Sequence, residues 1–355
     1  MSSQRKIYFI RHAHPDIPID ERWCVGSRAD LSLNALGRMQ ACLLAKELES
    51  ADLTGVYCSR LKRACETASF LSPDYVCFGG LEEKDMGDWD GLSFEQIKND
   101  WPEIYALREE DMSVTPPGAE PVESAKYRFR QGIEFVKLLT KGDIALVSHG
   151  GIMRDFFGNE KLPYTGYFIT DKDFNIISEN RLPHPDMTPQ LCLELQEAAE
   201  LLPNIRAHCI SEAAFALEIG KELNAHGFEL DLNLIECSAL LHDIARLSRQ
   251  HEKVGGRYLS ILGYDEIGSI IRQHDEPESE EISEATVLFI ADMNTIENHR
   301  CSVDERFEYS YTRYLLPRYE QMKELGILEV HARRREMAIR IKEKINNICG
   351  KELVK

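Results

Sequence analysis

No stretch of this 355-residue chain approaches the roughly 20 consecutive apolar residues that a membrane-crossing helix needs. Near its start, Arg5-Lys6 is followed by only four apolar residues, Ile7 to Ile10, well short of the about 7–15 at the centre of a secretory signal. No targeting segment is therefore expected, and the chain is assigned to the cytoplasm. Net positive charge is missing too. Lys and Arg number 42 against 60 Asp and Glu, a formal net charge of −18. That balance excludes polymeric nucleic acid and anionic membrane as partners, because both require basic surface. It leaves room for a small phosphorylated substrate, which needs only a local group of Arg and His. No CxxC pair occurs among the ten cysteines, scattered singly from Cys24 to Cys349. They read as free thiols, most of them small core residues, with no zinc-knuckle or redox use expected. Nothing in the sequence indicates an oligomeric state.

What is present points to two domains, since 355 residues exceed one typical core. Three prolines fall within Leu182–Pro189, each removing an N–H donor and biasing its predecessor away from helix. The expected division is residues 1–182, a linker over 183–189, and residues 190–355. Before the linker, apolar runs at Lys6–Ile10, Gly55–Cys58, Tyr75–Phe78 and Asp143–Val147 read as buried strands. They alternate with helical patterns at Leu36–Leu48, Ser59–Phe70 and Glu123–Leu139. That order predicts an α/β layered fold with a mainly parallel sheet, closed by a hairpin of Tyr167–Thr170 and Phe174–Ile177. After the linker strand signals vanish. Leu191–Leu202, Ile210–Asn224, Leu232–Leu247, Lys253–Leu262, Asp265–Gln273 and Ala285–Asn294 carry helical spacing, and a charged helical extension follows over Glu320–Ile348. The second half is predicted to be all-α.

In open α/β sheets, sites collect at the carboxyl ends of the strands. Four strand ends here supply chemistry: Arg11-His12-Ala13-His14-Pro15, the helix start Ser59–Ala68 with Arg63, the segment Leu81–Gly91 with Glu83, and Ser148-His149-Gly150-Gly151. With Gly37-Arg38-Met39-Gln40-Ala41, these motifs resemble the histidine phosphatase family, whose fold is the three-layer, phosphoglycerate mutase-like one, across roughly residues 5–180. The resemblance implies that His12 is a phosphate-accepting nucleophile, that Arg11, Arg63 and His149 surround the phosphoryl group, and that Glu83 is the proton donor. No cofactor is implied for this half. Each role fits the chemistry: a neutral imidazole can attack phosphorus, guanidinium forks suit phosphoryl oxygens, and a carboxylic acid can protonate the leaving oxygen. The sequence departs from the family where Ala13, His14 and Pro15 follow the Arg-His pair. Glu120 stands in a Gly-Glu element that lacks the family's serine and is a candidate substrate-side residue. Arg60, Lys62 and Glu82 read as solvated surface, and Trp89 as packing.

In the second half, His242 and Asp243 sit side by side in an apolar helix, where unpaired polar groups are costly. His208 stands earlier in another apolar helix and Asp292 later in a third. This set is similar to the HD family of metal-dependent phosphohydrolases over roughly residues 190–300. By that resemblance His208, His242, Asp243 and Asp292 are metal ligands. Their N and O donors would suit Fe, Mn, Zn, Co or Ni. His251 and His274 could serve a second metal or the phosphate, and Arg246 and Lys253 are candidate phosphate contacts. His184, His226, His299 and His331 read as solvent-facing.

The function expected is a two-domain phosphohydrolase, one half covalent through His12 and one half metal-dependent. It would hydrolyse phosphomonoesters in the first half, and phosphomono- or diesters of a nucleotide or small metabolite in the second. Two alternatives share these residues: a phosphoglycerate mutase-type phosphotransferase, and an active phosphatase with a regulatory HD module that senses a nucleotide or metal.

Overall fold

Alternation along a single strand lays out the first unit. In β1 (Ile7–Arg11), Ile7 and Phe9 face one side of the sheet while Tyr8 and Ile10 face the other. The computed structural model describes residues 5–158 and 160–355, and the chain separates after Pro185 into two compact units. In the first, β1 joins β2 (Leu53–Cys58), β3 (Val76–Cys77), β4 (Asp143–Ser148), β5 (Tyr167–Thr170) and β6 (Ile176–Arg181) in a sheet of order β3-β2-β4-β1-β5-β6. The first four are mutually parallel, β5 is antiparallel to β1, and β6 is antiparallel to β5. Helices α1 (Ala35–Glu47) and α2 (Lys62–Leu71) cover the Tyr8/Ile10 face with Leu44, Ala64 and Ala68. Helices α3 (Val122–Leu139) and α4 (Gly150–Phe157) cover the other with Phe129, Ile133, Ile152 and Met153. The three-layer α/β arrangement with a mainly parallel sheet is the one the alternating pattern predicts.

The second unit is helical: α5 (Pro189–Ala198), α6 (Pro203–Ala225), α7 (Leu232–Leu241), α8 (His251–Ile261), α9 (Asp265–Arg272), α10 (Glu284–Asp292), α11 (Val303–Ser310) and α12 (Ile327–Cys349) are its main elements. Their starts follow capping chemistry. Thr188 accepts from Leu191 N–H with Pro189 in the first turn, Asp231 accepts from Leu234 N–H, and Ser283 opens a capping box before α10. From Ala285 to Asp292 every residue of α10 is buried, so Asp292 is carried into the interior. The extension α12 docks through Ala338, Ile341 and Ile345 rather than through its exposed pairs such as Arg340–Glu280, which are worth little each. No helix among the described residues is long and apolar enough to cross a membrane.

Several boundaries differ from the sequence expectation. The second hairpin strand begins at Ile176, not Phe174, because Asp171 accepts from the N–H groups of Asp173 and Asn175 and lengthens the turn. Phe174 sits in that turn at φ +69° with its ring against Phe156 and Phe157. The helix expected over Leu232–Leu247 stops at Leu241, and the chain continues in tight turns (Ile244 N–H to Leu241 O, Arg246 N–H to Asp243 O). The charged extension is interrupted by Gly326 at φ +68°. A two-residue ribbon, Thr295–Ile296 with His299–Arg300, also occurs where no strand was expected.

Phe129 is fully buried against the sheet face that carries Ile7 and Phe9. Phe129→Ala is expected to cost about 3–5 kcal/mol in urea unfolding. A loss below about 1 kcal/mol would contradict this packing.

Candidate functional site

Parallel register brings the first cluster together. Arg11 pairs with Ser148 across β1 and β4, and His12 N–H donates to Ser148 O at 2.9 Å, so His12 and His149 leave adjacent strand ends side by side. Their rings lie 4.9 Å apart. His12 Nδ1 is 2.7 Å from Ala13 O, which fixes that nitrogen as the proton-bearing one and leaves Nε2 as the acceptor. Arg63 Nε donates to His12 Nε2 at 3.3 Å. Arg63 itself has no exposed surface and is braced by the carbonyls of Ala29 at 2.7 Å and Gly26 at 2.8 Å. On the opposite side the Arg11 guanidinium lies 3.7 Å above the Tyr164 ring and donates to Leu162 O at 2.7 Å. His12, Arg11, Arg63 and His149 thus converge on one site.

The polar accounting of this cluster is incomplete without an anion. Both ring nitrogens of His149 and Nε of Arg11 are buried with no hydrogen-bond partner. Burial, then Arg63, His149 and Arg11, holds His12 well below the ordinary histidine range. Burial, then Arg63, Arg11 and Arg128, does the same to His149. Both rings are therefore neutral at pH 7. Glu83 reaches the same region, where its carboxylate accepts from Gly151 N–H at 2.8 Å and Lys84 N–H at 3.0 Å. A Cβ at position 151 would meet Glu83 Oε2 at 2.6 Å, so glycine is required for that approach. Beside Glu83 opens a cavity of about 210 Å³, walled by Trp89, Phe94 and Tyr105 and by the cations Lys161 and Arg108. Lys84 and Arg154 also line it, but both are paired with Asp155. Burial and then Arg11 bring Lys161 down to about 8.

Other expected residues fall elsewhere. Glu120 forms a two-pronged pair with Arg128, at 2.9 and 3.1 Å, and does not line the cavity. Glu82, read as solvated surface, pairs with Arg60 at 2.9 Å. Trp89 is packing, 1% exposed, though its indole N–H has no partner. His14 is buried, its ring 4.7 Å from Tyr164 and its backbone N–H on Gln40 Oε1. Sequence reasoning did not find Tyr164 or Lys161, which lie on an irregular segment with no motif.

In the second unit α6, α10 and the turn after α7 converge. His208 Nε2 is 3.5 Å from Asp292 Oδ1, and the Nε2 atoms of His208 and His242 are each 3.3 Å from Glu212 Oε2. One donor atom each from His208, Glu212, His242 and Asp292 lies within 4.8 Å of all the others. Glu212 was missed by sequence reasoning. The available signal was its position four residues after His208, one helical turn along the same face. Asp243 borders this group, 3.6 Å from His242, and reaches 3.2 Å to His251 and to Arg246. His242, Asp243 and His274 form a second such group, and His251, His274 and Asp275 a third. His208, His242 and His274 each turn Nδ1 to a backbone carbonyl, of Glu297, Ala239 and Ile271, at 2.7–2.8 Å, which aims Nε2 at the carboxylates.

The donor set fits a divalent cation. Glu212 is fully buried and neither of its oxygens accepts a hydrogen bond, and burial, then Asp292 and Asp243, pushes its carboxyl well above the usual range. Three carboxylates with only Arg246 and Arg306 close by lack positive charge. A cavity of about 520 Å³ opens on His208 and Asp243, lined also by Arg246, Arg306, Tyr309 and Tyr314. Arg306, Tyr309 and Tyr314 were not anticipated. Lys253 is exposed, and no hydrogen bond or ion pair joins it to this cluster. His331 is not solvent-facing as expected but bonds Ser310 Oγ at 2.7 Å.

Two measurements follow from this geometry. The unfolded chain protonates its histidines near about pH 6.5, whereas folded His12 and His149 take up protons only at lower pH. Their contribution is fully present above about pH 6.5 and is lost as pH falls below it, by up to ~1.4 kcal/mol per pH unit for each ring. Trp23, Trp89 and Trp101 all lie in the first unit. Urea unfolding followed by tryptophan fluorescence should therefore weaken from pH 6.5 to 5.5, and less steeply in His149→Gln. Equal slopes would contradict a buried neutral His149. In the second unit, Glu212→Gln should weaken metal retention about tenfold or more, read by elemental analysis after dialysis. Unchanged metal content would remove Glu212 from the ligand set.

Residues 7–158 match the model of the histidine phosphatase superfamily (branch 1), and residues 205–293 match that of the HD domain. The chain is 28% identical over 169 residues to 6-phosphofructo-2-kinase/fructose-2,6-bisphosphatase 1 of Mus musculus, covering 45% of this chain and 35% of that protein. It is 29% identical over 150 residues to Bifunctional protein Rv2228c of Mycobacterium tuberculosis, covering 41% of each. The chain thus spans well under half the length of these curated relatives. A solved mycobacterial glucosyl-3-phosphoglycerate phosphatase is 23% identical with a TM-score of 0.43, covering 50% of this chain and 98% of that one. The chain therefore carries a histidine phosphatase domain followed by an HD domain, both of them families of phosphate-ester hydrolases.

Proposed function

We propose that the chain hydrolyses small phosphorylated molecules at two separate sites, through a phosphohistidine on His12 in the first domain and with a bound divalent metal in the second. The observation that carries the first half is the convergence of a neutral His12, its Nδ1 tied to Ala13 O, with Arg63, Arg11 and an unpartnered His149. His12 Nε2 attacks the phosphorus of a monoester. The N–P bond forms as the ester P–O bond breaks, and the leaving oxygen takes a proton from the Glu83 carboxyl. Water then attacks the phosphohistidine, giving its proton to the Glu83 carboxylate, and His12 departs unchanged with release of phosphate. Arg11, Arg63 and the His149 ring stabilise the charge on the equatorial oxygens in both steps.

The cavity beside Glu83 holds the alcohol portion of the substrate. Its aromatic walls favour a flat or apolar group, and Lys161 and Arg108 favour an additional anionic substituent on it. In the second domain His208, Glu212, His242 and Asp292 would hold a metal, with Asp243, His251 and His274 beside it. When bound, such a cation supplies Lewis-acid stabilisation of a phosphate ester and lowers the pKa of water. Arg246 and Arg306 bind the phosphate oxygens, and Tyr309 and Tyr314 offer ring faces to a nucleobase or similar group. The substrate class for this half is a nucleotide phosphodiester, pyrophosphate or monoester. If the first two are its substrates, its product is a monoester of the type the first domain removes.

His12→Ala is expected to abolish turnover of an aryl phosphate with the fold intact by circular dichroism, and chelator should leave wild-type turnover unchanged. Arg63→Ala should lower kcat/KM by at least about 30-fold, roughly 2 kcal/mol of transition-state stabilisation. Full activity in His12→Ala would overturn the phosphohistidine. Chelator or His242→Ala should remove only the activity on the nucleotide. Loss of aryl phosphatase activity in His242→Ala would instead favour a regulatory role for the second domain.

A further inference from the structure

In the first unit, three cysteines outside the His12 cluster meet. Cys58 ends β2 and Cys77 ends β3, and they are direct partners in the parallel register, so their side chains leave the same face of the sheet. Helix α2 crosses that face and adds Cys65. The sulfur separations are 3.9 Å (Cys58–Cys65), 3.6 Å (Cys58–Cys77) and 3.0 Å (Cys65–Cys77). Sulfurs that ligate one tetrahedral ion at about 2.3 Å stand about 3.8 Å from one another, so small side-chain adjustments convert this triangle into a ligand set. Accessibility grades across it, with Cys58 buried, Cys65 half-buried and Cys77 exposed. An ion can therefore enter at Cys77 and keep an outward position for a fourth ligand.

We propose that Cys58, Cys65 and Cys77 form a three-thiolate site for a soft metal ion of the Zn(II), Cd(II) or Cu(I) class. A disulfide needs two of these sulfurs and leaves the third without a role, whereas the triangle uses all three. Burial raises Cys58 above the ordinary thiol range and lifts Cys65 to about 12, so these two sulfurs are protonated when no metal is bound. A cation suits the triangle, because its charge offsets the thiolates as each ligating sulfur releases its proton to solvent. The site has a structural consequence for the phosphatase domain. Two residues before Cys65, α2 carries Arg63, and one turn after Arg63 it carries Thr67, whose hydroxyl accepts from Ala13 N–H at 3.0 Å. A metal that ties α2 to β2 and β3 fixes the helix that presents Arg63 to His12.

The test is titration of the reduced full chain with Cd(II), read by thiolate-to-metal charge-transfer absorption in the ultraviolet. Nitrogen and oxygen donors of the HD cluster give no such band, so the two sites are read separately, and the outcome does not depend on the proposed hydrolysis. The band should saturate at one equivalent. It should weaken at least tenfold in affinity or vanish in Cys77→Ser, an exposed position, and in Cys65→Ser, while Cys42→Ser retains it. A missing band in the reduced wild type overturns the site, as does one that survives both variants. Recovery of a Cys65–Cys77 disulfide in a chain that takes up no metal when reduced would overturn it as well.

Discussion

Two arginines and two histidines share a small volume at the carboxyl edge of the first sheet, with Glu83 as the nearby carboxylate. Burial, and then that excess of positive charge, keeps the imidazoles neutral, because adding a proton to either ring would place a desolvated cation beside buried Arg63. A neutral ring with its Nδ1–H already donated keeps one lone pair, on Nε2, and Arg63 Nε–H donates to it. The rest of the first domain serves this arrangement. The β1–β4 register sets the histidines side by side, the loop carbonyls of Gly26 and Ala29 hold the Arg63 fork, and Gly151 leaves room for the Glu83 carboxylate.

The HD domain has the opposite electrostatic character. Glu212, Asp243 and Asp292 gather in the interior, and the histidines around them point Nε2 inward because their other nitrogens are held by main-chain carbonyls. One domain is therefore organised to receive an anion and the other to receive a cation. Both features are compatible with phosphate-ester chemistry, since phosphoryl charge can be met by guanidinium groups or by a metal. The two basic residues at the rim of the second cluster, Arg246 and Arg306, each pair with one carboxylate of the set.

Strand and helix periodicity made the architecture readable in advance. Alternating apolar runs and helical patterns specify a layered α/β unit, and an unbroken series of amphipathic and buried helices specifies an all-α one. Short motifs at strand ends marked His12, Arg63, Glu83 and His149 because a parallel sheet brings its carboxyl ends to one edge whatever lies between them. His208, His242, Asp243 and Asp292 were legible for a related reason: a charged residue inside an apolar helix needs a partner.

Sequence alone determined the two fold classes and most residues of the two clusters, since those depend on local period and on residues whose burial is costly. Only the tertiary structure decided the partners. Glu212 looked like one more acidic helix position until packing buried it between two histidines. Glu120 looked available until Arg128 engaged both of its oxygens. Cys58, Cys65 and Cys77, which form no CxxC motif, meet because parallel register pairs the ends of two strands and a helix lies across them. Contacts of this kind join residues far apart in the chain, and their distances are set by how layers pack, which no local pattern encodes.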